Sequence, residues 1–176
     1  MIGSVISKLE YEYILPVLEK LKKKYKDKIE IIIFGWDGKE GALASLLKEI
    51  GVRFHKSVSF LNYPQVLEDF NFDMVLLPMR PLKYYKYANT IKFLETACLG
   101  IPIIAQEYSS YRNVINHGIT GLLADDLSAW EASIEKLIDD PNFRKKLGMN
   151  AQKWVWENRS YSDDRIFAFH QIFTNY

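Results

Sequence analysis

Short apolar runs alternate with amphipathic stretches along this whole chain, and few folds tolerate that alternation. Residues 2–6, 29–34, 52–60 (broken near Lys56), 74–77, 101–105 and 122–124 read as strands. Helical patterns over 11–24, 42–50, 63–70 and a short segment at 111–116 fall between them, as does the helix that opens at Asn89. The run IEIIIF at 29–34 hardly alternates in polarity, as expected of a strand covered on both faces. Strand–helix–strand order throughout predicts an α/β fold: a Rossmann-like, doubly wound parallel sheet of about six strands with helices on both faces. After the last strand only helices are expected, over 128–139, 141–148, 151–158 and 162–174, with Gly148 dividing the second from the third. No linker or internal repeat interrupts the pattern, so residues 1–176 are expected to form one domain.

The composition excludes several function classes. A formal net charge of +1 offers nucleic acid no electrostatic footprint. The single cysteine, Cys98, cannot form a disulfide within the chain, which fits a reducing compartment. Lys8 and Glu10 interrupt any apolar leader, and no run approaches a membrane span, so a cytoplasmic protein is expected. His55, His117 and His170 lack metal-ligand spacing, and no catalytic triad or Walker loop is present.

Ligands of such sheets bind beyond the C-terminal ends of the strands, where the first and fourth strands are neighbours. That rule directs attention to residues 89–105, NTIKFLETACLGIPIIA. Asn89 and Thr90 are helix-capping residue types. Ile91, Leu94 and Cys98 share one helical stripe, with Ala97 beside them, and this stripe is expected to be the buried face. Lys92 and Glu95 stand three apart on another face. The start of a helix presents unpaired amides and a positive dipole end, a natural seat for phosphate. Ser7 and Lys8 on one side, and residues 79–89 on the other, form the two lips of the expected crevice.

The same stretch carries a family resemblance. The series Lys92-Phe-Leu-Glu95-x-Ala97-x-x-Gly100-Ile-Pro102-Ile-Ile-Ala105 resembles the signature of the group 1 (GT4-like) glycosyltransferases of GT-B fold. Tyr111-Arg112, Val114-Ile115-x-His117-Gly118-x-Thr120-Gly121-Leu122-Leu123, Trp130, Leu137-Ile138, Asp140 and Arg144 agree with it, as do Tyr63-Pro64-x-x-Leu67 and Asp73-x-x-Leu76-x-Pro78 upstream. The likeness is to the C-terminal, donor-binding half of such enzymes. It implies that Glu95 holds the ribose hydroxyls of a nucleoside-diphosphate sugar, a task suited to a carboxylate that accepts two O–H bonds. It implies further that the amides of Asn89, Thr90 and Ile91 hold the diphosphate. Retention, no metal or other cofactor, and leaving-group stabilisation by the helix end and basic side chains complete the implied chemistry. The implied partner is an N-terminal, acceptor-binding Rossmann domain, in the same chain or as a separate subunit. Peripheral membrane association of the full enzyme is compatible with this, and the implied acceptor is a glycan or a lipid-linked saccharide. One Rossmann half alone is expected to bind nucleotide without transferring sugar.

Two positions depart from the family pattern. Tyr87 stands eight positions before Glu95, where the family often has a second glutamate; Glu12 stands where a lysine is often found near the first turn. These departures support the competing reading, a non-catalytic nucleotide-binding or partner-docking module on the same fold.

Each remaining candidate has a plainer reading beside the functional one. Lys92 is a phosphate contact or a surface partner of Glu95. Lys8 and Arg80 are crevice cations or solvated loop residues, and Gly35 approaches the ligand or merely permits a turn. Tyr84, Tyr85 and Tyr87 stack on a sugar or base, pack against a partner domain, or pack within their own loop. His117 is read as structural, Cys98 as core, Trp154 and Trp156 as packing for the last helices, and Asp125–Asp126 as a helix cap.

Overall fold

The structure is a computed structural model that describes residues 9–39, 41–59, 62–80 and 89–159. Its elements run in order α1 (Leu9–Tyr25), β1 (Ile31–Phe34), α2 (Ala42–Glu49), β2 (Val52–His55), α3 (Tyr63–Phe70) and β3 (Val75–Leu77). They continue with α4 (Ile91–Cys98), β4 (Ile103–Gln106), α5 (Ser109–Arg112), β5 (Leu122–Ala124), α6 (Leu127–Asp139) and α7 (Pro141–Arg159). All strand pairs are parallel: β1 with β2, and β3–β4–β5 in that order. The doubly wound order expects residues 2–6 between β1 and β3; they lie outside the described residues, so five of about six expected strands are seen.

Alternate residues along each strand feed two separate cores, which makes the fold three-layered. Ile31 and Ile33 of β1, Leu76 of β3, Ile104 of β4, and Leu122 and Ala124 of β5 pack with α1, α2 and α6. Ile32, Phe34, Val75, Leu77, Ile103, Ala105 and Leu123 point the other way, toward α3, α4, α5 and the second half of α7. Both faces of the strands are covered, which is why 29–34 carries almost no polar alternation. Ile33 and Ile104 are completely buried; each such side chain contributes about 1.5–3 kcal/mol of transfer free energy.

Local chemistry sets the helix limits. In α1 the expected stripe of Ile14, Val17, Leu18 and Leu21 is buried. Pro16 lies on the exposed side, where the Glu12 carbonyl that it deprives of a donor is near water. Asp126 caps α6 as expected, its Oδ1 accepting from the Ala129 N–H at 2.7 Å. Asp126→Ala is expected to cost about 1 kcal/mol, to be read as a lowered midpoint in urea unfolding with unchanged slope; an unchanged midpoint would show that the bond contributes nothing.

Three expectations are corrected. Strand β2 stops at His55 rather than continuing to 60. Residues 141–148 and 151–158 are one continuous helix, α7, not two. Gly148 does not break it, but lies where α7 crosses the α4–β4 turn: a Cβ there would stand 1.9 Å from the Gly100 carbonyl oxygen. The glycine serves close approach, not termination. Helix α5 spans Ser109–Arg112 rather than 111–116. Trp154 packs against a core as expected, and Trp156 is 60% exposed. The segment at 162–174 lies outside the described residues.

Candidate functional site

At the C-terminal edge of the sheet, the connections after β3, β4 and β5 come together. Tyr108, after β4, donates its phenol O–H to the carbonyl of Arg80, after β3. Tyr111 of α5 is fully buried, and its phenol reaches the Asn89 carbonyl at 3.5 Å. Gln106, the last residue of β4, donates to the Asp125 carbonyl at 3.0 Å and accepts from the buried Trp130 indole at 3.0 Å. Tyr13 of α1 faces the same place. Burial first, then Asp126, Tyr108 and Asp125, raise its phenol above the ordinary tyrosine range. These bonds tie the lead-in to α4 to the loops after β3, β4 and β5.

The start of α4 is exposed: Asn89 is open, and Ile91 is 52% exposed. The Asn89 Oδ1 accepts from the Ile91 N–H at 3.3 Å, while the Thr90 hydroxyl caps nothing. The Thr90 carbonyl accepts from Phe93 at 3.0 Å and Leu94 at 3.2 Å. Of the three amides expected to face a diphosphate, that of Ile91 is therefore engaged by a long bond to a neighbouring side chain. An anion could displace it at small cost, since side-chain caps and anions satisfy the same orphan donors.

The buried face of α4 differs from the expectation. Phe93, Thr96 and Ala97 are buried and Leu94 is partly so, whereas Ile91 and Cys98 are exposed. The stripe is rotated by about one residue, roughly 100° around the helix. Thr96 can be buried because its hydroxyl donates within the helix, 2.9 Å from the Lys92 carbonyl and 3.1 Å from that of Phe93. Phe93 then packs on Trp154 of α7, ring centroids 5.6 Å apart.

This rotation brings Lys92 and Glu95 to a half-buried position beside α3. Lys92 Nζ donates to Glu95 Oε2 at 2.9 Å and to the Tyr63 hydroxyl at 2.9 Å, and lies 4.3 Å from the Tyr63 ring centroid. Burial lowers the Lys92 pKa, but the bonds from Tyr63 and Glu95 outweigh it, so the ammonium titrates above the ordinary lysine range. A cation with a raised pKa stabilises the fold fully below its unfolded value and loses that contribution only as pH rises through the folded one. Lys92 is thus charged throughout the neutral range. Behind Tyr63 stands an aromatic group that the sequence reading missed: Phe34 stacks on His55 at 4.8 Å, and Tyr63 and Phe70 meet Phe34 edge-on at 5.6 and 6.1 Å. The four belong to three different elements, β1, β2 and α3, so no local spacing could have joined them.

Of the other candidates, Gly35 follows β1 with φ +93°, a conformation that favours glycine, and its N–H bonds to the His55 carbonyl at 2.8 Å. Its turn reading is therefore supplied by the backbone. The Arg80 backbone is anchored by Tyr108, and its buried Nε has no partner among the described residues. Ser7, Lys8 and Tyr87, like Tyr84 and Tyr85, lie outside the described residues. His117 is structural as expected: its Nδ1 accepts from the Leu123 N–H at 3.0 Å, which places the proton of the neutral ring on Nε2. A groove of about 550 Å³ lies at the opposite end of the strands, lined by Ile29, Ile31, Phe72 and Met74 among others. On its rim Arg144 pairs with Asp73 and the Tyr25 hydroxyl donates to Asp139, and it does not meet the converging loops. No helix among the described residues is long and apolar enough to cross a membrane.

Comparison with known proteins adds four findings. Residues 1–154 match the family profile of the glycosyl transferases group 1. An uncharacterised glycosyltransferase of Methanocaldococcus jannaschii is 27% identical over 170 residues, covering 92% of this chain but 41% of that protein. Among solved structures, the C-terminal domain of a glycosyl transferase group 1 family protein from Francisella tularensis superposes with a TM-score of 0.71 at 18% identity, covering 92% of this chain and 86% of that one. The Anabaena protein HepE, solved with UDP and glucose, gives a TM-score of 0.74 at 15% identity over 98% of this chain and 48% of its own. At such identities the structural likeness establishes the fold. The chain spans less than half the length of its curated relative.

Proposed function

We propose, from the premise that this chain belongs to the group 1 glycosyl transferases, that it is the nucleotide-sugar-binding half of a glycosyltransferase. The observation that carries the reading is the arrangement at α4. An open helix start at Asn89–Thr90 stands at the sheet's C-terminal edge, and a half-buried carboxylate, Glu95, lies one turn further along. A diphosphate would sit at the helix start, where amides and the dipole end favour negative charge. The ribose hydroxyls would donate to Glu95, whose Oε2 is held by Lys92 and whose Oε1 is the oxygen left for them. Arg80, on the loop after β3, would offer the leaving diphosphate a positive charge. UDP and glucose in the structural neighbour HepE support a nucleoside-diphosphate sugar as donor.

The finer parts of the reading rest on family membership: a retaining, metal-independent transfer to a glycan or lipid-linked acceptor, in surface polysaccharide assembly, in the cytoplasm. The acceptor would come from a second Rossmann domain, in the same protein or a partner subunit. Calorimetry of this chain with UDP, GDP and dTDP tests the core of the proposal; binding of at least one is expected, and no heat with any of the three would remove the nucleotide site. A second expectation concerns turnover. This chain alone is expected to release no labelled sugar to an acceptor, and measurable transfer by the purified chain would show that one half suffices.

A further inference from the structure

Resting on that nucleotide reading, we infer that Tyr63 is a positioning residue for it, clamping Lys92 so that the Glu95 carboxylate is held in a single orientation toward the ribose hydroxyls. An ion pair three residues apart on an exposed helix fluctuates and contributes little. The Lys92–Glu95 pair is different because its ammonium has a third point of attachment. The Tyr63 hydroxyl accepts at 2.9 Å and the ring face lies 4.3 Å away, while Glu95 Oε2 takes another N–H at 2.9 Å. Both charged side chains are about three-quarters covered. The Tyr63 ring is itself wedged, meeting Phe34 at 5.6 Å with an interplanar angle of 65°. It stands at the first position of α3, ahead of Pro64, so its backbone is set by the helix start. The chain of contact therefore runs from the core strand β1, through Phe34 and Tyr63, to Lys92 and Glu95, and the Tyr63 hydroxyl interacts with the Glu95 carboxylate directly as well. A carboxylate free to rotate would lose part of the geometry needed to accept two adjacent hydroxyls.

The test compares UDP and GDP with their 2′,3′-dideoxy counterparts on the wild-type chain and on Tyr63→Phe, which keeps the ring but removes the hydroxyl. Wild type is expected to prefer the ribose forms. Tyr63→Phe is expected to reduce that preference by about three- to tenfold, the effect of one hydrogen bond, with dideoxy affinities unchanged. An equal loss for both forms, or no loss, would overturn the positioning role. A ligand-free measurement separates this from the nucleotide reading: the 15N resonance of the Lys92 ammonium should titrate above the ordinary lysine range in wild type and lower in Tyr63→Phe. An unmoved titration overturns the clamp itself. A moved titration in a chain that binds none of the nucleotides leaves a clamp that positions nothing for ribose, and it overturns the inference through failure of the proposed function.

Discussion

Glu95→Ala is expected to weaken nucleoside-diphosphate binding by roughly 1.5–3 kcal/mol, about 10- to 150-fold, the range for hydrogen bonds to a charged group. The substitution removes the acceptor and leaves Lys92 bonded to Tyr63. Glu95 lies on the side of α4 away from the buried Phe93, Thr96 and Ala97, so the helix should keep its packing. The loss is expected to be smaller for dTDP than for UDP, because a deoxyribose presents one hydroxyl fewer. Calorimetry on the two nucleotides measures both effects, and identical affinities in mutant and wild type would place Glu95 outside the site.

Gly148→Ala should lower stability by about 3 kcal/mol, near the upper end for overpacking, or roughly 6–12 °C in Tm for a chain of this size. Helix propensity alone predicts the opposite sign, since alanine is favoured over glycine in a helix by about 1 kcal/mol. Packing wins because of what the new methyl would meet. Its nearest neighbours are the Gly100 carbonyl oxygen at 1.9 Å, the Gly100 carbonyl carbon at 2.9 Å and Pro102 Cδ at 3.2 Å. None is the free end of a flexible side chain. The Gly100 N–H bonds to Ala97, the Ile101 N–H to Thr96, and the Pro102 carbonyl accepts from Val75, so the turn is tied to both α4 and β3. Helix α7 would have to lift from α4, straining the Phe93–Trp154 contact and the 2.8 Å bond from Gln152 to the Cys98 carbonyl. Lys145→Ala, exposed on the same helix, is the control and should change little. A Gly148→Ala protein as stable as wild type would show that α7 yields at this crossing.

Much of this architecture was readable along the chain. Most strands and helices among the described residues occur where hydrophobic period and turn residues indicated, because those signals are local; the ends of β2, the place of α5 and the continuity of α7 are the exceptions. The unbroken apolar run at 29–34 identified a strand with two covered faces, and Asp126 announced the start of α6 by its ability to accept an amide proton. Family membership was legible too, since its residues cluster in the continuous stretch from Lys92 to Ala105 and again from Tyr111 to Leu123.

Where the reading failed, one cause recurs: local pattern cannot say which neighbour an element will meet. Gly148 reads as a terminator because glycine is disfavoured inside a helix; only the crossing of α7 over Gly100 reveals its role. The aromatic group around Phe34 escaped notice because it joins β1, β2 and α3.

Helix α4 shows the division most clearly. The run of residues specified a short helix opening on Asn89 and closing before Gly100, with Lys92 and Glu95 one turn apart. Eight residues make little more than two turns, too few for one apolar stripe to prevail over the next. Ile91, Leu94 and Cys98 make one stripe; Phe93, Thr96 and Ala97 make another that looks weaker by composition. Contact with α7 and the sheet selected the second, since Phe93 fills space against Trp154 and Thr96 satisfies its own hydroxyl inside the helix. That rotation, settled by packing and not by local preference, sets Lys92 and Glu95 against Tyr63.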